Sequence, residues 1–272
     1  MGIEKLKVQW KEIGKLSKRF KIKILRGSEV EILKDGSLDY PDEILKELDI
    51  VVGAVHSGFS VPKKKMTERI IIALENRYLY ILAHPSGRLL GKRKAYEVDF
   101  GKVFDTAVAN GKVMEINSQP SRLDLNDELI LLAKGFGLKF CISTDSHSIF
   151  DLAFIRYGLG QARRGWLEKK DVVNTYPYSK LKDVFKKSSS DLIHIRGLMQ
   201  LNYKIKPNRY CDQIHFLDNR RFDVIYFSVQ LRKSFRLLKR VKNTTETSHI
   251  RQVIFDLATL QYTCNSTIQK TQ

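Results

Sequence analysis

The chain has 272 residues, 43% of them apolar and 10% aromatic, and a formal net charge of +18. Such a chain can bury a full core, which excludes a disordered protein and allows one large or two modest domains. No stretch approaches the roughly 20 uninterrupted apolar residues that span a bilayer, and the first residues, charged from Glu4 onward, lack the apolar block of a secretory signal. We therefore expect a cytoplasmic protein that has no membrane partner.

The positive charge favours a polyanionic partner, of which nucleic acid is the commonest soluble kind. The basic clusters are scattered, so a generally basic surface is the alternative. The three cysteines, Cys141, Cys211 and Cys264, are odd in number and widely spaced, which indicates neither a disulfide framework nor a thiolate zinc site. Cys141 is expected to be a small buried residue on a strand.

Short apolar runs that predict strands alternate with helical stretches. The runs are 23–25, 50–55, 79–83, 112–114 and 140–144. Each ends at, or shortly before, a residue of a kind that binds metals or phosphate-site water, namely Glu29, His56, His84, Glu115 and Asp145. A strand and its returning helix take about 30 residues, so the pattern predicts β/α units that each bring one such side chain to a common rim. In barrels of parallel strands, chemistry gathers on the carboxyl-terminal rim.

Helix boundaries can be predicted at several points. Pro41 and the two acids after it suit the first turn of a helix that runs to Leu48. Asn126 is a predicted N-cap. The glycines at Gly111 and in 135–137 are expected to end helices in a left-handed turn. These signals extend the β/α order to about residue 187.

The pattern changes at Ser188-Ser189-Ser190, a short hydrophilic hinge. We divide the chain into 1–187, the β/α region, and 188–272, an unassigned basic region in which glycine and proline are rare. Its histidines are isolated, and ordinary surface or core positions explain them best: His194, His215 and His249.

Two histidines follow apolar strands. Pro85 fixes the backbone after His84 and Gly87 permits a close turn, so this imidazole can be held rigidly. His56 ends the run 50–55. Either histidine alone is more often a structural group, but several ligand types at successive strand ends are hard to explain by core packing.

Carboxylates complete the predicted site. Glu29 and Glu31 share one face of an extended segment, so one can bind a metal while the other is solvated. Asp145 and His147 form an Asp-x-His pair suited to zinc, manganese or iron. Glu29, His56 and His84 form the His₂Glu set that holds a catalytic zinc with one position open to water, and a metal-bound hydroxide is then a nucleophile at neutral pH.

Three polar residues in the following turns are candidates for substrate binding. Arg88 and Arg122 are candidate phosphate clamps, because guanidinium groups bind phosphate oxygens in pairs. Asn117 lies two residues after Glu115 and is a candidate for the same substrate-facing loop. Exposed loop arginines with no such role are the alternative.

These residues fall within motifs that resemble the PHP (polymerase and histidinol phosphatase) domain, most nearly the C-terminal PHP domain of bacterial and archaeal family X DNA polymerases. The resemblance covers 1–187. Its motifs are Gly27-Ser28-Glu29-Val30-Glu31, Val55-His56-Ser57-Gly58, Ala83-His84-Pro85-Ser86-Gly87-Arg88, Glu115-Ile116-Asn117 with Arg122-Leu123-Asp124-Leu125, and Ser143-Thr144-Asp145-Ser146-His147.

The resemblance implies a distorted (β/α)₇ TIM-like barrel that hydrolyses phosphoesters with up to three divalent metals, commonly Mn²⁺ or Zn²⁺. In the family X polymerases it implies a 3′–5′ exonuclease that processes DNA ends in repair. It makes Glu29 a bridging ligand, assigns His56 and His84 to the second metal and Asp145 to the first, and assigns His147 to the third.

The sequence also departs from the family. The opening His-x-His strand and a later Asp-His motif are missing, since His56 is the first histidine. We therefore expect an N-terminally truncated, incomplete barrel in which only the second metal keeps all its protein ligands. Open sheet edges would then need cover from the basic region or from a partner, such as a separate polymerase or N-terminal PHP fragment.

Three hypotheses follow from the sequence. The first is a metal-dependent phosphoesterase that acts on DNA ends. The second keeps the chemistry but takes a small phosphomonoester, as histidinol phosphatases do. The third is a non-catalytic fragment that binds nucleic acid or a polymerase partner.

Overall fold

The computed structural model describes residues 2–19 and 23–186 and the backbone of Val224–Ile225. Helices and strands alternate along most of this length. The helices are α1 (Ile3–Arg19), α2 (Asp42–Leu45), α3 (Lys63–Glu75), α4 (Phe100–Ala109), α5 (Asp127–Gly135), α6 (Ile155–Arg164) and α7 (Tyr178–Lys186), and the strands are β1 (Lys23–Ile24), β2 (Gly27–Glu31), β3 (Ile50–Ala54), β4 (Ile81–Leu82), β5 (Val113–Asn117), β6 (Lys139–Ser143) and β7 (Val224–Ile225).

Five strands form one parallel sheet in the order β2-β3-β4-β5-β6. Each strand is hydrogen-bonded to the next strand of the sequence, as in the pairing of Glu29 with Val52 and of Glu115 with Cys141. Because parallel crossovers are right-handed, this consecutive order carries the connecting helices to one face of the sheet. The predicted parallel α/β fold is confirmed, whereas closure into a barrel stays a prediction.

The two faces of the sheet bury different sets of side chains. The face under α3 to α6 belongs to a large apolar cluster that includes Val30, Val51, Leu82, Met114, Ile116 and Phe140. The opposite face belongs to a smaller cluster that includes Ile50, Val52, Ile81, Val113 and Cys141, with Leu181 and Phe185 of α7 against it. Since side chains alternate along a strand, Glu29 and Glu115 lie on this second, inner face.

The inner face is apolar at the amino ends of the strands and polar at their carboxyl ends. A cavity of about 30 Å³ lies at its apolar end, between the sheet and α7, and is lined by residues that include Ile50, Cys141 and Phe185. Cys141 is buried and unpaired there, as predicted. The polar end of the same face carries the candidate functional site.

Local sequence signals predicted several helix ends correctly. Asn126 caps α5 by accepting a hydrogen bond from the N–H of Leu129 at 3.1 Å. Gly111 and Gly137 have φ values of 62° and 83°, the left-handed turn expected there. The helix predicted to reach Leu48 is wrong in length, because α2 ends at Leu45.

The strand assignments around two carboxylates also need correction. Glu29 does not follow the strand at 23–25 but lies within β2, while Lys23–Ile24 forms a separate strand that pairs in parallel with Val224–Ile225. Glu115 likewise lies inside β5 rather than after it. Strand ends were misplaced because polar residues on the inner face interrupt the apolar runs.

The predicted boundary at residue 188 and most of the basic region, including Cys211, Cys264 and the three histidines there, lie outside the described residues. Within the described part of the chain, no helix is long and apolar enough to cross a membrane.

Candidate metal centre

Glu29, His56 and His84 come together at the carboxyl ends of β2, β3 and β4. Nε2 of His56 lies 2.8 Å from Oε1 of Glu29, and Nε2 of His84 lies 3.9 Å from the same oxygen. One ligand atom from each residue can be chosen so that all three lie within 4.8 Å of one another. The parallel order of three neighbouring strands therefore gathers the predicted His₂Glu set.

Glu31 holds the ring of His56 from its other side. Its Oε2 lies 2.7 Å from Nδ1 of His56, and both carboxylate oxygens accept the backbone N–H of that residue. Ser57 Oγ and Arg69 Nη2 donate to Oε1 of Glu31 at 2.9 and 3.3 Å. A carboxylate at Nδ1 fixes the tautomer and rotation of an imidazole, which leaves Nε2 directed at Glu29.

Arg69 of α3 ties this arrangement to the fold. Its side chain is buried, and it donates to the carbonyl groups of Ile32, Leu33 and Ser57 as well as to Glu31. Burial of a guanidinium is tolerated because these acceptors satisfy its donors. Arg69 therefore joins the segments that follow β2 and β3.

His84 is held by its backbone. Oε2 of Glu115 accepts the N–H of His84 at 2.6 Å, and the φ of His84 is 28°, an unusual conformation for a residue with a side chain. The side chain is 2% exposed, and neither ring nitrogen has a hydrogen-bond partner within the described residues. Buried polar atoms of this kind favour a ligand at the site.

Asp145 lies in a second group, beside Glu115. The amide nitrogen of Asn117 donates to Oε2 of Glu115 at 3.3 Å and to Oδ2 of Asp145 at 3.2 Å. Ser143 Oγ also donates to Glu115. Oδ1 of Asp145 is buried without a hydrogen-bond partner in the part of the chain that the structure describes.

His147 stands apart from this buried group. Its side chain is 55% exposed, and its Nδ1 lies 2.8 Å from the carbonyl oxygen of Asp145 and 3.9 Å from Oδ1 of the same residue. Asp151 accepts the N–H of His147 at the start of a 3₁₀ turn, Ile149–Phe154. The Asp-x-His pair is therefore close, but only its aspartate is buried.

The two candidate phosphate clamps have different partners. Arg88 donates through Nε to the carbonyl oxygen of Arg122 at 2.9 Å and through Nη2 to that of Leu123, so it joins two loops. Nε of Arg122 lies 3.3 Å from Oδ2 of Asp145. Nη1 of Arg122 is buried and, among the described residues, lacks a hydrogen-bond partner. Arg122 thus offers a donor beside Asp145.

Electrostatics at the site favour a bound cation. Burial opposes ionisation of Glu29, but the neighbouring His56 and His84 outweigh it and lower the pKa of this carboxyl. The hydrogen bond to Glu29, and then Glu31, raises the pKa of His56. A divalent ion beside Glu29 would compete with a proton for this imidazole, because a histidine ligand must be deprotonated.

Glu115 behaves differently from Glu29. Burial raises its pKa to about 7, and Asp145 adds to that effect although His84 opposes it. A positive ion at the rim would favour its charged form. Glu29 and Glu115 thus differ because the His56 and His84 side chains hydrogen-bond Glu29, whereas the pKa of Glu115 is dominated by its burial.

Sequence reasoning missed the roles of two residues. We expected one of Glu29 and Glu31 to bind a metal and the other to be solvated. The second part is wrong, because His56, Ser57 and Arg69 surround Glu31. The sequence did indicate that Glu31 lies near the site, because Glu31 shares one face of the strand with Glu29. Arg69 carried no signal, since it is one arginine in a helix of a basic chain.

Comparisons with known proteins agree with this picture, although no family model matches the chain. The DNA polymerase/3′-5′ exonuclease PolX of Bacillus subtilis (strain 168) is 42% identical over 182 residues, which are 66% of this chain and 31% of that protein. A probable phosphatase of Thermoanaerobacter sp. (strain X514) is 32% identical over 175 residues, 61% of this chain and 69% of the relative. The chain thus spans less than a third of the PolX relative.

The fold and the site define a parallel α/β protein with a histidine and glutamate cluster at the carboxyl ends of its strands. The chain belongs to the PHP family, and its similarity to PolX connects it with the PHP domains of family X DNA polymerases.

Proposed function

We propose that this protein is a metal-dependent phosphoesterase whose centre is formed by Glu29, His56 and His84. The observation that carries the proposal is the convergence of these side chains on one small volume, with both ring nitrogens of the buried His84 lacking hydrogen-bond partners within the described chain. Two imidazoles and one carboxylate suit zinc or manganese. A divalent ion held there supplies Lewis acidity, which makes water nucleophilic at neutral pH and offsets negative charge on a phosphate.

The other residues of the site position groups around this centre. Glu31 orients His56, and Glu115 orients His84 through its backbone N–H. Asp145 and His147 are proposed as ligands of further metals. Arg122 keeps its predicted role as a phosphate clamp and directs a donor toward the phosphate. Arg88 was predicted to be the second clamp and Asn117 to face the substrate, but we propose instead that both stabilise the loops that present this donor, because Arg88 donates to backbone carbonyl groups and Asn117 donates to Asp145.

For the substrate we propose the 3′ end of a DNA strand. The similarity to a protein named DNA polymerase/3′-5′ exonuclease and the net charge of +18 support it. A small phosphomonoester is the second candidate, because relatives named probable phosphatases match 61% and 48% of this chain. Four untested expectations remain part of this proposal: a (β/α)₇ barrel, the boundary at 188, a cytoplasmic location, and a polymerase or PHP partner.

The test compares the full chain with a Glu29→Ala/His84→Ala variant. With Mn²⁺ we expect hydrolysis of a labelled single-stranded oligonucleotide by the wild type, and a loss of at least about 100-fold in the variant. Glu47→Ala, which removes an exposed glutamate elsewhere, is the control and should match the wild type. Equal activity of the wild type and the double variant would refute the metal centre. A wild type that binds Mn²⁺ but hydrolyses neither DNA nor 4-nitrophenyl phosphate would support the non-catalytic fragment instead.

A further inference from the structure

Arg93 is a half-buried arginine held between two loops of the site. Its Nε and Nη2 both donate to the carbonyl oxygen of Gly87, at 3.0 and 2.8 Å. Its guanidinium carbon lies 3.7 Å from the centre of the Phe59 ring. Gly87 belongs to the loop that leaves His84, and Phe59 to the loop that leaves His56. The guanidinium is therefore fixed at the edge of the proposed metal centre.

The charged group with the largest effect on the pKa of Arg93 is another arginine. Burial and the positive charge of Arg122 both lower the pKa of Arg93, and no carboxylate is among the groups that shift it. Arg122 itself keeps a buried Nη1 that has no acceptor in the described structure. Two neighbouring guanidinium groups repel each other unless an anion lies between or beside them. Phosphate oxygens are the acceptors that guanidinium groups fit best.

The loops that carry the two arginines are bound to each other. The N–H of Leu90 donates to the carbonyl oxygen of Ser121 at 2.7 Å, and Arg88 bonds the carbonyl oxygen of Arg122. The separation of Arg93 and Arg122 is thus set by the fold before any ligand binds. Preorganised donors lose little conformational entropy on binding.

We propose that Arg93 binds a second phosphate group of the substrate, adjacent to the phosphate that Arg122 holds for hydrolysis, and so selects a nucleic-acid strand over a small phosphomonoester. This inference rests on the proposed phosphoesterase function and assigns its substrate class. A phosphomonoester has no second phosphate for Arg93 to bind. A strand has one at each nucleotide, and Phe59 keeps the guanidinium oriented to receive it.

The experiment uses four variants of the full chain: Arg93→Ala, Arg93→Lys, Lys92→Ala and Lys94→Ala. Lys92 and Lys94 flank Arg93 and are exposed, so their removal changes the net charge equally. The substrates are a labelled ten-nucleotide thymidylate strand and 4-nitrophenyl phosphate, both with Mn²⁺. For Arg93→Ala we expect the KM for the strand to rise about tenfold, the equivalent of one charged hydrogen-bonded contact.

The same variant should hydrolyse 4-nitrophenyl phosphate within about twofold of the wild type, and both lysine variants should bind the strand within about twofold. Arg93→Lys keeps the charge without the planar donors, so an intermediate KM is expected. If Arg93→Ala loses the same activity on both substrates, Arg93 has only a structural role and the proposal is overturned. If the two lysine variants raise the KM for the strand as much as Arg93→Ala does, the effect is one of net charge and the proposal is also overturned.

A separate measurement distinguishes failure of this inference from failure of the proposed function. Fluorescence anisotropy of the same strand reports binding without hydrolysis. If the wild type hydrolyses neither substrate, the phosphoesterase function fails, while a tenfold weaker binding in Arg93→Ala alone would still support the phosphate contact. Strand binding that Arg93→Ala leaves unchanged would overturn the contact whether or not the wild type is active.

Discussion

The carboxylate of Glu31 lies 2.7 Å from Nδ1 of His56 and also accepts the backbone N–H of that residue. The opposite ring nitrogen lies 2.8 Å from Glu29. One glutamate of β2 therefore orients the imidazole, while the other shares the position where a cation would bind. Partners of this kind commonly change metal affinity by about 10- to 100-fold.

We predict that Glu31→Gln weakens Mn²⁺ binding to the full chain by about 10- to 100-fold. The reason is that an amide cannot accept the hydrogen bond of the Nδ1 proton as strongly as a carboxylate does. Isothermal titration calorimetry measures the affinity, and circular dichroism checks the fold. Glu47→Gln removes an exposed glutamate and should bind Mn²⁺ as the wild type does. A folded Glu31→Gln protein with wild-type affinity would mean that His56 is oriented without this carboxylate.

Two glycines of α6 provide a matched test of the packing behind the site. A Cβ at Gly158 would lie 2.0 Å from Oγ of Ser118 and 2.6 Å from Cγ2 of Ile142, whereas a Cβ at Gly160 would meet nothing within 4 Å. We predict that Gly158→Ala lowers the free energy of unfolding by about 2 kcal/mol or more. Gly160→Ala should raise it by up to about 1 kcal/mol.

Denaturation of both alanine variants in guanidinium chloride measures these changes. Similar shifts of the two midpoints in the same direction would contradict the close approach of α6 to the sheet at Gly158.

The side chain of Asn174 makes, at the edge of β6, hydrogen bonds of the kind that a neighbouring strand would make. Its side chain donates to the carbonyl oxygen of Ile142 at 2.9 Å and accepts the N–H of the same residue at 2.8 Å. We predict that Asn174→Ala costs about 2 kcal/mol of stability, because two partly buried backbone groups lose their partner. Asn174→Asp keeps the acceptor but loses the donor.

Hydrogen exchange at the Ile142 amide separates these effects. Exchange should accelerate in Asn174→Ala more than in Asn174→Asp, beyond any change in global stability. The same rate in both variants and the wild type would show that this edge of the sheet is protected by other means.

The features that were predicted from the sequence depend on few neighbouring residues. Asn126 caps a helix through the N–H of Leu129, and Gly137 supplies a left-handed turn, so both could be inferred from a short window. The gathering of Glu29, His56 and His84 was also predictable, because the carboxyl ends of consecutive parallel strands meet at one edge.

The features that were missed depend on contacts between distant segments. Arg69 reaches from α3 to carbonyl groups after β2 and β3, and Arg93 reaches back to Gly87 and across to Phe59. In a chain with 48 lysines and arginines, residue type alone does not distinguish a buried arginine from a solvated one. Only tertiary packing identifies the acceptors that each guanidinium finds.

Lys112, beside β5, should make the free energy of unfolding depend on pH in the alkaline range. Its side chain is buried, and Nζ donates to the carbonyl oxygens of Asn76 and Leu79 at 2.9 and 2.7 Å. Burial lowers the pKa of Lys112 from 10.5 to about 8. Between these values the unfolded chain binds more protons than the folded protein, so the free energy of unfolding should rise with pH in this window. Below pH 8 the group is charged in both states, and the fold bears the full cost of the buried charge.

We predict that Lys112→Met removes this dependence. The stability of the wild type relative to the variant should increase by up to about 3 kcal/mol from pH 8 to pH 10.5, a limit set by the size of the pKa difference. Urea denaturation at several pH values measures it, and Lys34→Met, at an exposed lysine, is the control. Tyrosines that titrate in the same range affect both proteins equally and cancel in the difference. A difference that stays flat over this window would mean that the buried ammonium keeps its ordinary pKa, because the two carbonyl groups then compensate fully for the water it has lost.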